Sequence, residues 1–145
     1  MNKILAALLA FFLPTSVPGQ SPDQRVAWQD DPIESKVGVH VVPNFGDDPT
    51  AFTAAISEET VRAALKSVDW VNGFHQVIVV TSPGTSMEVG GSLDPEHGLS
   101  AVYRNRSEGI ELVTREAPAT ILQLEAILLA FLEPGDSWRQ VQDFD

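Results

Sequence analysis

The chain contains no cysteine. That absence excludes disulfides, cysteine-ligated zinc and the lipid-bearing cysteine of an anchored lipoprotein. Basic residues are also scarce: Lys plus Arg number 9 against 20 Asp plus Glu, a formal net charge of −11. A field of that sign repels nucleic acid and anionic membranes, which release no counterions to it, and suits a basic protein partner. Long apolar runs are missing too. The longest, residues 4–13, is too short for a bilayer-spanning helix, which takes about 20 residues. There is no His-x-x-x-His pair, no calcium-loop spacing and no Gly-x-Ser-x-Gly elbow; "GTSME" at 84–88 holds only the first half of one.

What is present begins with "MNKILAALLAFFLPTSVPGQ": Lys3, a short apolar run, Pro14, then small residues. This is the pattern of a secretory signal peptide over residues 1–19, cut before Gln20, which places the mature protein in the periplasm or outside the cell without a membrane anchor. Residues 20–35 are polar and punctuated by proline, an extended lead-in that Trp28 could pin to the domain. Residues 36–145 are then expected to form a single domain, long enough to bury a core without cross-links.

Within it, "KVGVHVV" (36–42) reads as a strand, and Asp48-Pro49 as the start of a short helical turn. "SEETVRAALKSVDW" reads as a helix: Ser57 can cap it, Glu58 and Glu59 suit its positive end, and Val61, Ala64, Leu65 and Val68 form one stripe, with Asn72-Gly73 as a left-handed stop. "FHQVIVVTS" (74–82) is apolar on both faces and reads as a central strand. Residues 85–93, 99–106 and 110–114 follow as an antiparallel meander, with Met87, Val89 and Leu93 on one side of the first strand and Gly90-Gly91 a bulge or point of close approach. A second helix, "ATILQLEAILLAFLE", presents Ile121, Leu124, Leu128 and Phe131, widened by Leu122, Ile127 and Leu132. Trp138, Val141 and Phe144 suggest a last helical turn packed back on the domain. The predicted class is α+β: an antiparallel sheet of about five strands, with two main helices chiefly on one face and the other face open to solvent or a partner.

Chemistry is sparse. "GGSLDPEHGLS" sets Asp94, Glu96 and His97 together, which could be a metal site, an acid–base pair or a polar turn; Asp before Pro is ordinary turn chemistry, as in "DDP" elsewhere. His40 and His75 fall within strands, where a sheet histidine with a satisfied hydrogen bond is expected. Glu88 and Glu111 read as solvated carboxylates, and Tyr103, Arg104 and Arg106 as a rim group ahead of Glu108. No metal or cofactor is implied, and binding is expected rather than turnover.

A helix ending "ALKSVDW", the strand "HQVIVV", the Gly-Gly hairpin of "MEVGGSL" and "LSAVYRNR", and a closing helix followed by Trp138 together resemble small immunity proteins of bacterial polymorphic-toxin systems, over residues 61–138. The resemblance implies an inhibitor that occludes a toxic enzyme; with a signal peptide, one acting in the periplasm. Acidic loops would suit an enzyme with a basic cleft, since complementary charge speeds encounter and excludes wrong partners. The candidate partner-binding residues are Asp94, Glu96, His97, Tyr103, Arg104 and Glu108. Two alternatives stand beside it: a small secreted hydrolase using His97 with Asp94 or Glu96, and an envelope domain binding a small ligand on its open sheet face.

Overall fold

The computed structural model describes residues 28–145, so the signal peptide expected at 1–19 and the start of the lead-in lie outside the described residues. The elements are β1 (Gly38–Pro43), β2 (Ala51–Thr53), α1 (Glu58–Lys66), β3 (His75–Ser82), β4 (Thr85–Gly91), β5 (Leu99–Asn105), β6 (Ile110–Val113), α2 (Ile121–Phe131) and α3 (Trp138–Val141). The strands make one antiparallel sheet in the order β2-β1-β3-β4-β5-β6. This is the expected α+β class with a sixth strand. The extra strand is β2, where the sequence suggested a helical turn. Residues 51–53 are too few to show a helical period, and pairing with the free edge of β1, Phe52 opposite His40, decides their conformation.

The helices form where local chemistry favours them. Ser57 caps α1 by accepting from the Thr60 N–H at 3.1 Å, and the Thr60 hydroxyl accepts in return from the Ser57 N–H at 2.9 Å. Thr120 and Gln123 build the same reciprocal cap on α2. The helix α1 stops at Lys66, short of Trp70, whose indole N–H donates back to the Leu65 carbonyl at 2.9 Å. Gly73, with φ +86, therefore serves the turn into β3 and not the helix end.

Strand alternation sorts the core. Val39, Val41, Val77, Val79, Met87, Val89, Leu99 and Ala101 face the helices and pack with Val61, Leu65, Leu124, Ile127 and Leu128. Leu122, expected to widen the apolar stripe of α2, instead stands 74% exposed, because that helix turns Leu124, Ile127, Leu128 and Phe131 to the sheet. The indole of Trp138 stacks on Tyr103 with centroids 4.4 Å apart and takes the edge of Phe144 at 4.9 Å. Residues 143–145 then pair with 113–115 through backbone bonds, Val113 with Asp145 and Arg115 with Asp143. In the β4–β5 connection the alternation breaks: Ser92 is buried and Leu93 points outward, against expectation. The cause is Gly91, with φ +110, where an added Cβ would fall 2.0 Å from the Gly98 carbonyl oxygen. The glycine pair marks a close approach; the register irregularity of β3–β4 lies elsewhere, between Val80 and Ser82.

The second face of the sheet is not bare. Val42, Ile78 and Val80 are buried there, with Ile33 packed against them. Residues 28–35, expected to be extended, form turns, and their contacts fix them: the Gly84 N–H donates to the Glu34 carbonyl at 2.9 Å, and Arg106 grips the Glu34 carboxylate at 2.7 and 3.1 Å. His40 is buried on this face, where it donates from Nε2 to the Lys36 carbonyl at 2.9 Å and packs on Phe52. Burial is the main reason its pKa lies below the ordinary value; the Lys36 charge adds to this and the Lys36 carbonyl opposes it.

Two outcomes follow. Trp138→Ala should cost about 3–5 kcal/mol in urea unfolding, because it removes the ring that seals Tyr103, Phe144 and Phe131. Folding lowers the His40 pKa, so its contribution to stability is complete above the ordinary histidine range and is lost as pH falls through the lower, folded value. Urea midpoints should accordingly drop on acidification, and His40→Phe should drop less.

Candidate functional site

The loop that joins β4 to β5 is built by its own polar groups. The Asp94 carboxylate accepts from the Glu96 N–H at 2.9 Å, and the Asp94 carbonyl accepts from the His97 and Gly98 N–H groups, each at 3.0 Å. Ser92 Oγ accepts from the Asp94 N–H at 3.2 Å and lies 3.3 Å from His97 Nδ1. The bonds to the His97 ring include neither the Asp94 nor the Glu96 carboxylate, and Ser92 is fully buried, so this serine–histidine contact has no open approach for a substrate at its hydroxyl. The loop's chemistry is that of a folded turn which leaves Glu96 and His97 exposed.

What stands beside it is more telling. His97 meets the edge of Phe74 at 5.7 Å, and Phe74 stacks face to face on Phe45, centroids 4.4 Å apart and planes within 5°. Phe45 is 58% exposed, and Val71 and Leu93 are exposed on the neighbouring segments. Three connections thus meet at one end of the sheet: 44–50, 67–74 and 92–98. They are tied together. The Leu93 N–H donates to the Trp70 carbonyl at 2.7 Å, and His75 bridges the other two through Asn44 and Asn72. Between the first two connections lies an open cleft of about 360 Å³ lined in part by Asn44, Asp48, Asp69, Asn72 and His75; no lysine or arginine lines it among the described residues. Asp69 is held below the usual carboxylate range, chiefly by the Asn72 side chain and also by the backbone N–H groups of Asn72 and Val71. With Asp94 and Glu96 across the aromatic stack, this end presents exposed apolar surface framed by carboxylates.

The remaining expected site residues do not join it. The β5–β6 connection, with Arg106 and Glu108, lies at the far end of β5, about 20 Å away for a strand of that length. Tyr103 faces the helices and is stacked on Trp138, so it is occupied by the core. Arg104 points to the opposite face, where it bridges Glu88 at 2.7 Å and Glu111 at 2.8 Å; Gln76 donates to Glu88 at 2.5 Å. Glu88 is thus largely sheltered rather than solvated, and β5 separates it from Glu111. Burial alone would lower the Arg104 pKa, but the two carboxylates outweigh it and hold the guanidinium above its ordinary value.

No family model, curated protein or solved structure matches the chain. Among the described residues no cluster of three His, Asp or Glu side chains is placed to hold a metal ion, and no helix is long and apolar enough to cross a membrane.

Of these residues the sequence points only to Asp48, as the start of a helical turn; Phe45, Phe74 and Asp69 carry no signal there. Phe45 and Asp48 lie in connection 44–50, Asp69 and Phe74 in connection 67–74, and the pairing of β1 with β3 brings the two together. Arg104→Ala should lower stability by about 2–3 kcal/mol in urea unfolding, since it strands Glu88 among half-buried neighbours. An equal stability for the variant and the parent would show the ion pairs to be idle.

Proposed function

We propose that this is an exported acidic binding protein that occludes a basic protein partner, and that the partner is a toxic enzyme against which it gives immunity. The observation that carries the reading is the Phe45–Phe74–His97 stack, with Phe45 and His97 exposed and Phe74 half-buried between them, framed by Asp48, Asp69, Asp94 and Glu96. Aromatic side chains supply binding energy at interface centres, and rim carboxylates steer a cationic partner and set the register. The net charge of −11 extends that steering over the whole surface. The resemblance in layout to immunity proteins supports the inhibitory role, and the N-terminal "MNKILAALLAFFLPTSVPGQ" supports action in the periplasm.

Loss of the gene should harm its host only in the company of toxin-producing neighbours, and the intact gene should restore fitness. A gene carrying Phe45→Ala with Phe74→Ala should fail to restore it while the variant protein stays folded by circular dichroism. With the purified toxin, the association rate should fall several-fold as salt rises from about 0.05 to 0.5 M. A deletion strain that is indifferent to all such neighbours, or a double variant that protects fully, would overturn the reading.

A further inference from the structure

His75 joins two of the three connections that carry this surface. Its ring is buried at the start of β3, with Nδ1 accepting the Asn44 N–H at 3.2 Å and Nε2 donating to the Asn72 carbonyl at 2.5 Å. A backbone N–H can only donate and a carbonyl can only accept, so the two bonds together require a neutral ring with its proton on Nε2. Gly73 shows how tightly the parts meet: a Cβ there would lie 2.2 Å from Asn44 Oδ1 and 3.0 Å from the His75 ring. Asn44 and Phe45 are held in the left-handed region, φ 50 and 57, which asparagine tolerates but a bulky phenylalanine adopts only under restraint. The Asn44–His75 bond, the Asn44–Asp48 side-chain bond and the Phe45–Phe74 stack restrain that strained pair.

We infer that His75 is a proton-operated clamp on this surface: neutral, it holds connection 44–50 against the turn at 69–73 and keeps Phe45 stacked; protonated, it releases the connection. A proton on Nδ1 sets a second N–H against the Asn44 N–H, so an acceptor becomes a donor facing a donor. The bond from Nε2 to the Asn72 carbonyl survives and becomes charge-assisted. The ring therefore stays with the turn, and the strained Asn44–Phe45 segment is the part set free to relax. The charged groups facing the ring are Asp69, in the turn, and Asp48, held by the Asn44 side chain; both compensate an imidazolium at this place. On the flanking strands Pro43 and Gly91 sit opposite His75 and carry no charge, Trp70 offers its ring edge at 6.4 Å, and His97 lies beyond Phe74. That release weakens partner binding rests on the docking reading above; the release itself does not.

The test uses the isolated full chain, without a partner. Ring-nitrogen NMR, followed as the solution is acidified from about pH 8, should show the Nε2–H tautomer in the neutral ring and report where Nδ1 takes its proton. Over that range, amide exchange at residues 44–48, corrected for its intrinsic pH dependence, should rise at least about tenfold while amides of β3 and β4 stay protected. His75→Asn, whose Oδ1 can accept the Asn44 N–H without titrating, should abolish the rise; His97→Asn should keep it. An Nδ1–H tautomer, a ring that stays neutral until the whole chain unfolds, protonation without faster exchange, or a rise that survives His75→Asn would each overturn the clamp. If His75→Asn does not fold, the tautomer and exchange of the unsubstituted protein decide alone. A clamp that responds in a protein whose Phe45→Ala variant binds its toxin normally would leave the clamp standing and remove the docking reading.

Discussion

Burial of β3 on both faces is the constraint from which the rest of this fold is arranged. Val77 and Val79 must be covered on one side and Ile78 and Val80 on the other. The first demand is met by α1 and α2, whose caps fix where each helix begins and so which residues it lowers onto the sheet. The second is met in part by Ile33, which residues 31–36 bring across the second face. Those residues are anchored by the Glu34–Arg106 pair and the Gly84–Glu34 backbone bond, both at the end of the sheet far from the aromatic stack. The two ends thus have different jobs: one is locked by ion pairs and turns, and the other is left with exposed rings.

Most of this architecture could be read from residue pattern, and the reasons differ by element. Both main helices are legible because a cap residue precedes an apolar stripe in each, with charges that suit the dipole in α1 alone; β3 is legible because an apolar run without alternation implies cover on both sides. The strand β2 was not legible: three residues carry no period, and only the vacancy beside β1 explains them. Leu93 was assigned to the wrong side because alternation was carried through Gly91, whose backbone conformation no side-chain pattern reveals. The site was half legible. Asp94, Glu96 and His97 were found because polar residues cluster there in the chain; Phe45 and Phe74 were not, since an isolated phenylalanine in a loop looks like a core residue until its neighbours are known. Tyr103 and Arg104 were grouped because they are adjacent, yet adjacent strand residues face opposite ways.

The electrostatics separate structural charge from available charge. Arg104 and Arg106, the basic residues next to Tyr103 that suggested a recognition rim, are each consumed by carboxylates. Glu88 and Glu34 are spent in the same pairs. The carboxylates at the aromatic end are spent differently: Asp94 and Asp69 accept backbone and amide N–H groups, which organises their loops and keeps full negative charge at the surface. A carboxylate satisfied by neutral donors still attracts a cation, whereas one satisfied by arginine does not. The surface that exposes Phe45 is thus one where the carboxylates organise loops without being neutralised by arginine.

That distinction also bears on the choice between binding and turnover. A catalytic acid or base needs a proton to give or take at the moment of reaction, with its partner groups aimed at a substrate. Here the Asp94 carboxylate and carbonyl close the loop, and the buried hydroxyl that His97 touches, Ser92, serves the Asp94 N–H. Such a loop gains nothing from a labile proton and much from a fixed shape. His75 is the exception, because its bond to the Asn44 N–H needs a bare Nδ1 while its bond to the Asn72 carbonyl does not, and it sits where two connections meet. A second proton on this ring would therefore act on the join between connections 44–50 and 69–73, since the bond it removes is the one that ties them.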